Sequence, residues 1–258
     1  MIANRRVVLL AGPSRSTTIV YNALHARGLV DAVILERRVG RFAYLARRVR
    51  RLGLLRVIGQ LLFASLALPV LRRAATERAS ELERSFGLDR SGIPDSAITR
   101  VGSVNDNDTR ACLVALDPAV VVVNGTRKLS RRVFAACPRA VFLNMHAGIT
   151  PAYRGVHGAY WAVVRRDLRR CGVTVHTVDA HIDTGPIVAQ ATIVPTARDN
   201  FVTYPLLQLG AGLPLLVAAV RGARDGILRT RAPTPGDSRL WSHPTLTEYL
   251  ANWFRGAP

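Results

Sequence analysis

Lysine is almost missing from this chain of 258 residues: Lys128 is the only one, and the other 35 of its 36 cations are arginines. Acids are scarce too, 17 against those 36, which leaves a formal charge of +19. Codon preference produces an arginine skew as readily as a polyanionic partner does, so the charge by itself assigns no partner. Aromatic residues fill only 6% of positions, too few to lay stacking platforms among the basic stretches, and no DNA-reading motif appears. Nucleic acid is therefore not expected as a partner. Three cysteines, Cys112, Cys137 and Cys171, form no CxxC pair, which argues against a disulfide scaffold and a structural zinc site and fits a reducing, cytoplasmic setting. Internal repeats and low-complexity segments are lacking as well. The apolar run Val7–Ala11 is too short, and too poor in cleavable small residues, for a secretory leader. It reads as a buried first strand.

What is present is an ordinary globular balance, 49% hydrophobic and 21% charged, with enough apolar mass for a substantial core. The first strand ends in Gly12-Pro13-Ser14, helical spacing follows over 17–27, Gly28 punctuates, and 30–35 reads as strand again. Strand, helix, strand in that order implies parallel pairing. The rhythm resumes with strands at 98–101, 120–123 and 140–145; the run Val120-Val121-Val122-Val123 does not alternate, as in a sheet covered on both faces. Helices are expected at 108–116 and 156–166, strands at 172–178 and 186–193, and a long apolar helix over 204–220. The fold class is α/β: a Rossmann-like, mostly parallel twisted sheet with helices on both faces. Residues 1–231 make the main domain, and 232–258 read as a tail packed on it through Trp241, His243, Tyr249 and Trp253.

One segment breaks the rhythm after the second strand. Residues 41–90 form a basic, apolar helical insertion, with eight arginines and no acid between Arg41 and Arg73 around the apolar stretch 52–71. The length suits a spanning helix, but Arg56, Gln60 and Pro69 argue against a span. Two readings stay open. Either the insertion packs as a helical hairpin on the sheet or on a second subunit of a homodimer, or residues 41–73 make a peripheral membrane contact with arginines on anionic lipid.

Chemistry gathers at the end of the strand at 140–145. Side chains alternate along a strand, so Asn144 and His146 point to one side at its carboxyl end, where open α/β sheets hold their ligands. Taken alone, the pair also describes a hydrogen-bonded structural histidine. Asp183-Thr184-Gly185-Pro186, taken alone, is a turn whose aspartate bonds backbone amides. The full set is more specific: Asn144-x-His146, Pro151-x-x-Arg154-Gly155, Gly172-Val173-Thr174-Val175-His176 and Asp183-Thr184-Gly185-Pro186. In this order and spacing it resembles the catalytic domain of the folate-dependent formyltransferases, a family that includes glycinamide ribonucleotide transformylases, methionyl-tRNA formyltransferases and sugar-nucleotide N-formyltransferases. The resemblance is strongest over 120–193.

The resemblance implies transfer of a formyl group from 10-formyltetrahydrofolate to the primary amine of a small acceptor, within a catalytic domain at 1–231, with no metal. Asn144 would donate its amide to the formyl oxygen, His146 as a cation would stabilise the oxyanion, and Asp183 would pair with His146 and help move the amine proton. Folate would lie against Asn124, Gly125, Thr126, Arg127, Lys128 and Leu129, and against Val178, Asp179, Ala180, His181 and Ile182. Arg127 suits the cofactor's glutamate carboxylate; the bland alternative for Arg127 and Lys128 is an exposed basic turn. His176 is expected to pack or to support the site. For the acceptor, Gly12, Ser14 and Arg15 after the first strand and Arg154 and Gly155 are the candidates. Pro13 removes an amide that a ribonucleotide phosphate would use, and only about 30 residues follow 228, short of a tRNA-binding domain. An amino sugar, often nucleotide-linked, is the first expectation, ahead of a siderophore-type modified amino acid or glycinamide ribonucleotide. From a different class, a non-catalytic, membrane-peripheral binding protein would fit the same fold.

Overall fold

A computed structural model describes residues 5–234 and 236–256. Strand β1 (Val7–Ala11) leads through Ser14, whose hydroxyl caps the Thr17 amide, into α1 (Arg15–His25), and β2 (Ala32–Glu36) follows. The insertion then runs as α2 (Arg41–Leu52), α3 (Leu54–Leu62), a π-turn (Phe63–Ala67), α4 (Leu68–Ala74) and α5 (Thr76–Ser85). After it come β3 (Ile98–Val101), α6 (Asn107–Leu116), β4 (Val120–Asn124), α7 (Arg131–Ala136) and β5 (Val141–His146). The chain continues with β6 (Arg154–Gly155), α8 (Gly158–Val164), β7 (Gly172–Thr177), β8 (Ile187–Thr192), α9 (Tyr204–Arg224), β9 (Leu240–Trp241) and α10 (Leu246–Phe254).

Seven strands form one sheet in the order β3-β2-β1-β4-β5-β7-β8. The first five are parallel, and β7 and β8 close the edge antiparallel. The chain builds outward from β1 in one direction and then in the other, so the strand order reverses between β1 and β4; in open sheets, ligands bind beside such a point. Both strands are buried along their whole length, which is why the valine run shows no alternation. Val7, Leu9 and Val122 pack against α1 and α9 through Ile19, Leu24, Leu216 and Val220, while Val8, Leu10 and Val121 pack on the other face against Leu113 and Val133 of α6 and α7. Helix α9 is apolar enough to cross a membrane, but half of its most apolar window is buried. Gly212 brings it so near the sheet that an added Cβ would lie 2.6 Å from the Met145 sulfur.

A third cluster, around Phe63, Tyr160, Trp161, Phe201, Trp241 and Tyr249, joins the insertion and the tail to the domain. The insertion is a chain of helices rather than a simple hairpin. Its α5 is clamped by Arg78, whose Nε donates to Asp199 Oδ1 at 2.9 Å, the Asp199 side chain being fully buried. The tail does more than pack. Its β9 pairs in parallel with β6, setting Arg154 opposite Leu240 and Gly155 opposite Trp241, and α10 starts with a reciprocal Thr245–Glu248 capping box. Of the aromatic anchors expected there, Trp241 and Tyr249 are buried, but Trp253 is not: it stands 55% exposed on the last turn of α10, beside Phe254, beyond the edge of the aromatic cluster.

Candidate active site

Strand alternation puts Asn144 and His146 on one side of β5, and the antiparallel register of β7 sets His176 directly across from Asn144 and Thr174 across from His146. They open into a cavity of about 560 Å³ walled by the loops after β4 and β7, by α2, and by Leu240–His243 of the tail. Asp183 enters from the loop after β7. Its backbone is left-handed, φ 52°, a conformation that aspartate tolerates better than most residues. Its carboxylate is fixed by the Gly155 amide, which donates to Oδ2 at 2.9 Å. Gly155 is itself left-handed, φ 92°, and lies so close to β9 that a Cβ would stand 2.3 Å from the Trp241 carbonyl.

His146 is buried between two acceptors: its Nε2 lies 2.6 Å from the Tyr153 carbonyl and its Nδ1 3.3 Å from Asp183 Oδ2. The loop that returns the Tyr153 carbonyl over the ring is pinned by Thr174, whose hydroxyl donates to the Gly148 carbonyl at 2.8 Å and accepts from the Thr150 amide at 3.1 Å. Gly148 leaves no room for a side chain, since a Cβ there would be 2.8 Å from His146 Nε2. Burial pushes the His146 pKa below the ordinary histidine range, outweighing the opposing pull of Asp183 and the Tyr153 carbonyl. The sequence led us to expect a cation here, because a carboxylate adjoins the ring; desolvation is the larger effect. Burial opposes the Asp183 carboxylate as well, yet its polar surroundings, with the Gly155 amide donating to Oδ2, hold its pKa below the usual carboxylate value. A neutral ring that gives its one proton to the Tyr153 carbonyl presents a lone pair to an ionised carboxylate. That contact lacks one proton, and the pair is a built acceptor for it.

His176 is part of the same constellation. Its Nδ1 donates to the Thr177 carbonyl at 2.8 Å, so Nε2 is left to accept from Asn144 Nδ2 at 3.2 Å, and it stands 3.7 Å from Asp183 Oδ1. One hydrogen of the Asn144 amide is thus committed, and the orientation of that amide is set.

Of the other expected site residues, Gly125, Thr126, Arg127, Lys128, Leu129, Val178, Asp179, His181, Ile182 and Gly155 line the cavity. Asn124, Ala180, Gly12, Ser14, Arg15 and Arg154 are not among its lining residues. Asn124 turns under α1 to donate to the hydroxyls of Ser16 and Thr17 at 3.1 and 2.9 Å. Gly12 packs on the Gly125 carbonyl, where a Cβ would meet it at 2.3 Å, Ser14 caps α1, and Arg15 is exposed on the first turn of that helix. Arg154 is tied down by the Ile182 carbonyl at 2.9 Å and the Ser238 hydroxyl at 2.8 Å. The Arg127 Nε is taken by Glu36 at 2.7 Å, and the same carboxylate accepts from the Arg127 and Val104 amides at 3.1 and 3.2 Å. Through Nε that guanidinium braces the loop after β4 while the residue still lines the cavity.

Sequence reasoning missed the contribution of α2, whose Tyr44, Arg47, Arg48, Arg51 and Leu52 form one wall. The arginine run was visible, but where its helix docks depends on contacts far along the chain. It also missed Trp241, Ser242 and His243 as lining residues. His243 is half-buried against the half-buried His157, Nδ1 to Nε2 at 2.9 Å, and desolvation drives these two rings down to about 4 and about 3.

A formyl transferase family model matches residues 74–204. The methionyl-tRNA formyltransferase of Roseiflexus sp. (strain RS-1) is 35% identical over 138 residues, 52% of this chain and 41% of that protein. The methionyl-tRNA formyltransferase of Chloroflexus aurantiacus (strain ATCC 29366 / DSM 635 / J-10-fl) is 36% identical over 140 residues, 54% and 42% of the two chains. The matched stretch is thus less than half the length of these relatives. Among solved structures, a sugar N-formyltransferase from Shewanella sp FDAARGOS_354 superposes with a TM-score of 0.57 at 13% identity, covering 90% of this chain and 75% of that one. Glycinamide ribonucleotide transformylase 1 from Symbiobacterium toebii does so with a TM-score of 0.55 at 19% identity, covering 88% and 93%. At such identities these two structures speak for the fold alone.

Proposed function

This chain belongs to the formyl transferase family, and on that premise we propose that it transfers a formyl group from 10-formyltetrahydrofolate to the primary amine of a small acceptor, an amino sugar linked to a nucleotide. The observation that carries the reading is the contact of His146 Nδ1 with Asp183 Oδ2 at 3.3 Å, beside Asn144, in one cavity. The donor supplies an activated one-carbon unit. Its place fits the cleft between the loops 125–129 and 178–182, where Val123, Leu129, Met145, Val178 and Ile182 offer apolar faces and loop backbone offers polar edges. Arg127, whose Nε is oriented by Glu36, and Lys128, exposed at the rim, are the cations for the donor's carboxylates.

As the acceptor nitrogen bonds to the formyl carbon and the carbon's bond to the folate nitrogen breaks, the amine loses a proton and the folate nitrogen gains one. The second hydrogen of the Asn144 amide is free to meet the formyl oxygen as negative charge develops there, a kind of contact worth about 3 to 4 kcal/mol of barrier. The amine's proton has a seat between His146 Nδ1 and Asp183 Oδ2, from which it is returned to the leaving nitrogen. Residues 1–231 act in this reading as the catalytic domain, with Leu240, Trp241, Ser242 and His243 of the tail completing its cavity wall.

The cationic wall supports a phosphorylated acceptor: Arg47, Arg48 and Arg51 line the cavity and suit a diphosphate. A second reading, an aminoacyl-tRNA acceptor, is favoured by the sequence relatives. Tetrahydrofolate release is to be followed with nucleotide-linked 4-amino sugars, methionyl-tRNA, glycinamide ribonucleotide and simple hydroxylamines. Turnover dependent on the amino sugar supports the first reading, and turnover confined to methionyl-tRNA replaces it with the second. No turnover with any amine, joined to no folate binding by calorimetry, overturns the enzymatic proposal.

A further inference from the structure

The segment α3, π-turn and α4 makes one apolar helix of 21 residues, Leu54–Ala74, whose most apolar window has a mean hydropathy of 2.0 and is only 17% buried. Its two faces differ in what covers them. The inner face is held along its length: Phe63 packs on the rings of Phe201 and Tyr249 at 4.9 and 5.0 Å, Gln60 donates to the His243 carbonyl at 2.7 Å, Arg56 pairs with Glu248 at 3.1 Å, and Asn200 donates to the Leu71 carbonyl at 3.3 Å. The outer face repeats at three and four residues through Leu55, Ile58, Leu61, Leu62, Leu66 and Val70, which are 43% to 85% exposed. A stripe of this length is larger than the scattered exposed side chains of an ordinary surface.

The charge around the stripe selects its occupant. From Arg37 to Thr76 the chain has no acid. Among the described residues, none of Arg47, Arg50, Arg51, Arg72 and Arg73 has an ion-pair partner. An apolar face bracketed by unpaired cations complements a surface that is apolar beneath and anionic on top, and it opposes a second copy of itself, whose arginines would meet these. A spanning arrangement would strip the inner face of its partners, leaving Gln60 and Arg56 in hydrocarbon.

We propose that the outer face of Leu54–Ala74 docks this protein, lying in the membrane plane, on an anionic lipid bilayer. Helix α2, which precedes that face in the chain, lends Arg47 and Arg51 to the cavity wall. The docking does not depend on the identity of the transferred group.

The test is co-sedimentation of the full chain with vesicles of phosphatidylcholine alone and of phosphatidylcholine mixed with phosphatidylglycerol at about 30%, at low and high salt. Binding should be about tenfold or more stronger to the anionic vesicles and should fall about tenfold when salt is raised from roughly 0.05 to 0.5 M. The double variant Leu55→Glu and Leu62→Glu should lose vesicle binding while keeping its circular dichroism and unfolding midpoint, since both positions are exposed. Arg72→Glu with Arg73→Glu should weaken anionic binding alone. Failure to bind anionic vesicles, equal binding to neutral ones, or retention that resists both salt and alkaline extraction overturns the proposal. So does sedimentation equilibrium showing a dimer that the Leu55→Glu and Leu62→Glu pair dissolves.

Discussion

His146 sits in a low-dielectric pocket with a carbonyl on one nitrogen and a carboxylate near the other, and its pH behaviour follows from that. Because burial lowers its pKa, the ring is neutral and able to accept a proton across the neutral range. The acid limb of kcat/KM should therefore lie below the ordinary histidine value of about 6.5, with rates level above it; a cation-requiring site would instead lose activity as pH rises through neutrality. Asp183→Asn preserves the left-handed backbone, which asparagine also tolerates, and keeps an oxygen for the Gly155 amide. It should lower kcat by about 10² to 10⁴ with an unchanged unfolding midpoint. Retained turnover in that variant removes the proton-accepting role from the pair. Asn144 and His146 were readable from the sequence because strand alternation is local and fixes their common side. The capture of Arg127 by Glu36 was not, since it joins positions 91 residues apart.

At the scale of elements, two short strands decide where the carboxylate points. Strands β6 and β9 have two residues each, too few to leave any periodicity in the sequence, although the Gly155 amide that they position holds Asp183. Gly155→Ala would drive a Cβ to 2.3 Å from the Trp241 carbonyl and force a left-handed alanine. Turnover should fall at least about tenfold and stability by about 1 to 3 kcal/mol, measured by kinetics and denaturant unfolding of the same preparation. The long strands, by contrast, were found within two residues of their expected bounds, because continuous apolar runs between glycines and prolines carry their own boundaries. For the insertion, the helices were readable and their docking was not: it depends on Arg78 meeting the fully buried Asp199 side chain, 121 residues away. Arg78→Ala leaves that carboxylate unpaired and should cost about 3 to 5 kcal/mol in the unfolding free energy. A loss under 1 kcal/mol would show that the clamp contributes little.

For the whole molecule, the strand order was legible as strand, helix, strand units, whereas the antiparallel edge formed by β7 and β8 was not, because alternation in GVTVHTV is the same in either direction. The strongest consequence at this scale concerns acid. Three histidines, His146, His157 and His243, have pKa values lowered by burial, the latter two to about 3 and about 4. An unfolded chain takes up protons on them near pH 6.5 while the folded one does not, so the unfolded state binds more protons and stability falls as pH falls. Between about pH 6 and 5 the His157 and His243 rings each contribute a slope approaching 1.4 kcal/mol per pH unit, and His146 acts in the same direction. Below that window the carboxylates act in the same direction. Asp199 is held down by Arg78 and the Thr196 amide against its burial, and Asp183 is held down with the Gly155 amide on its Oδ2, so the stability they confer is present above the unfolded carboxylate value of about 4 and is lost as pH drops through their lower folded values. Urea unfolding at pH 7, 6 and 5 should show the midpoint decreasing steadily before any carboxylate titrates. Replacing the His157–His243 pair by His157→Gln with His243→Gln should flatten that decrease, even if it lowers stability at pH 7. A midpoint constant from pH 7 to 5 would mean that the rings are charged or solvated in the folded protein, and the neutral His157–His243 contact would then have to be abandoned.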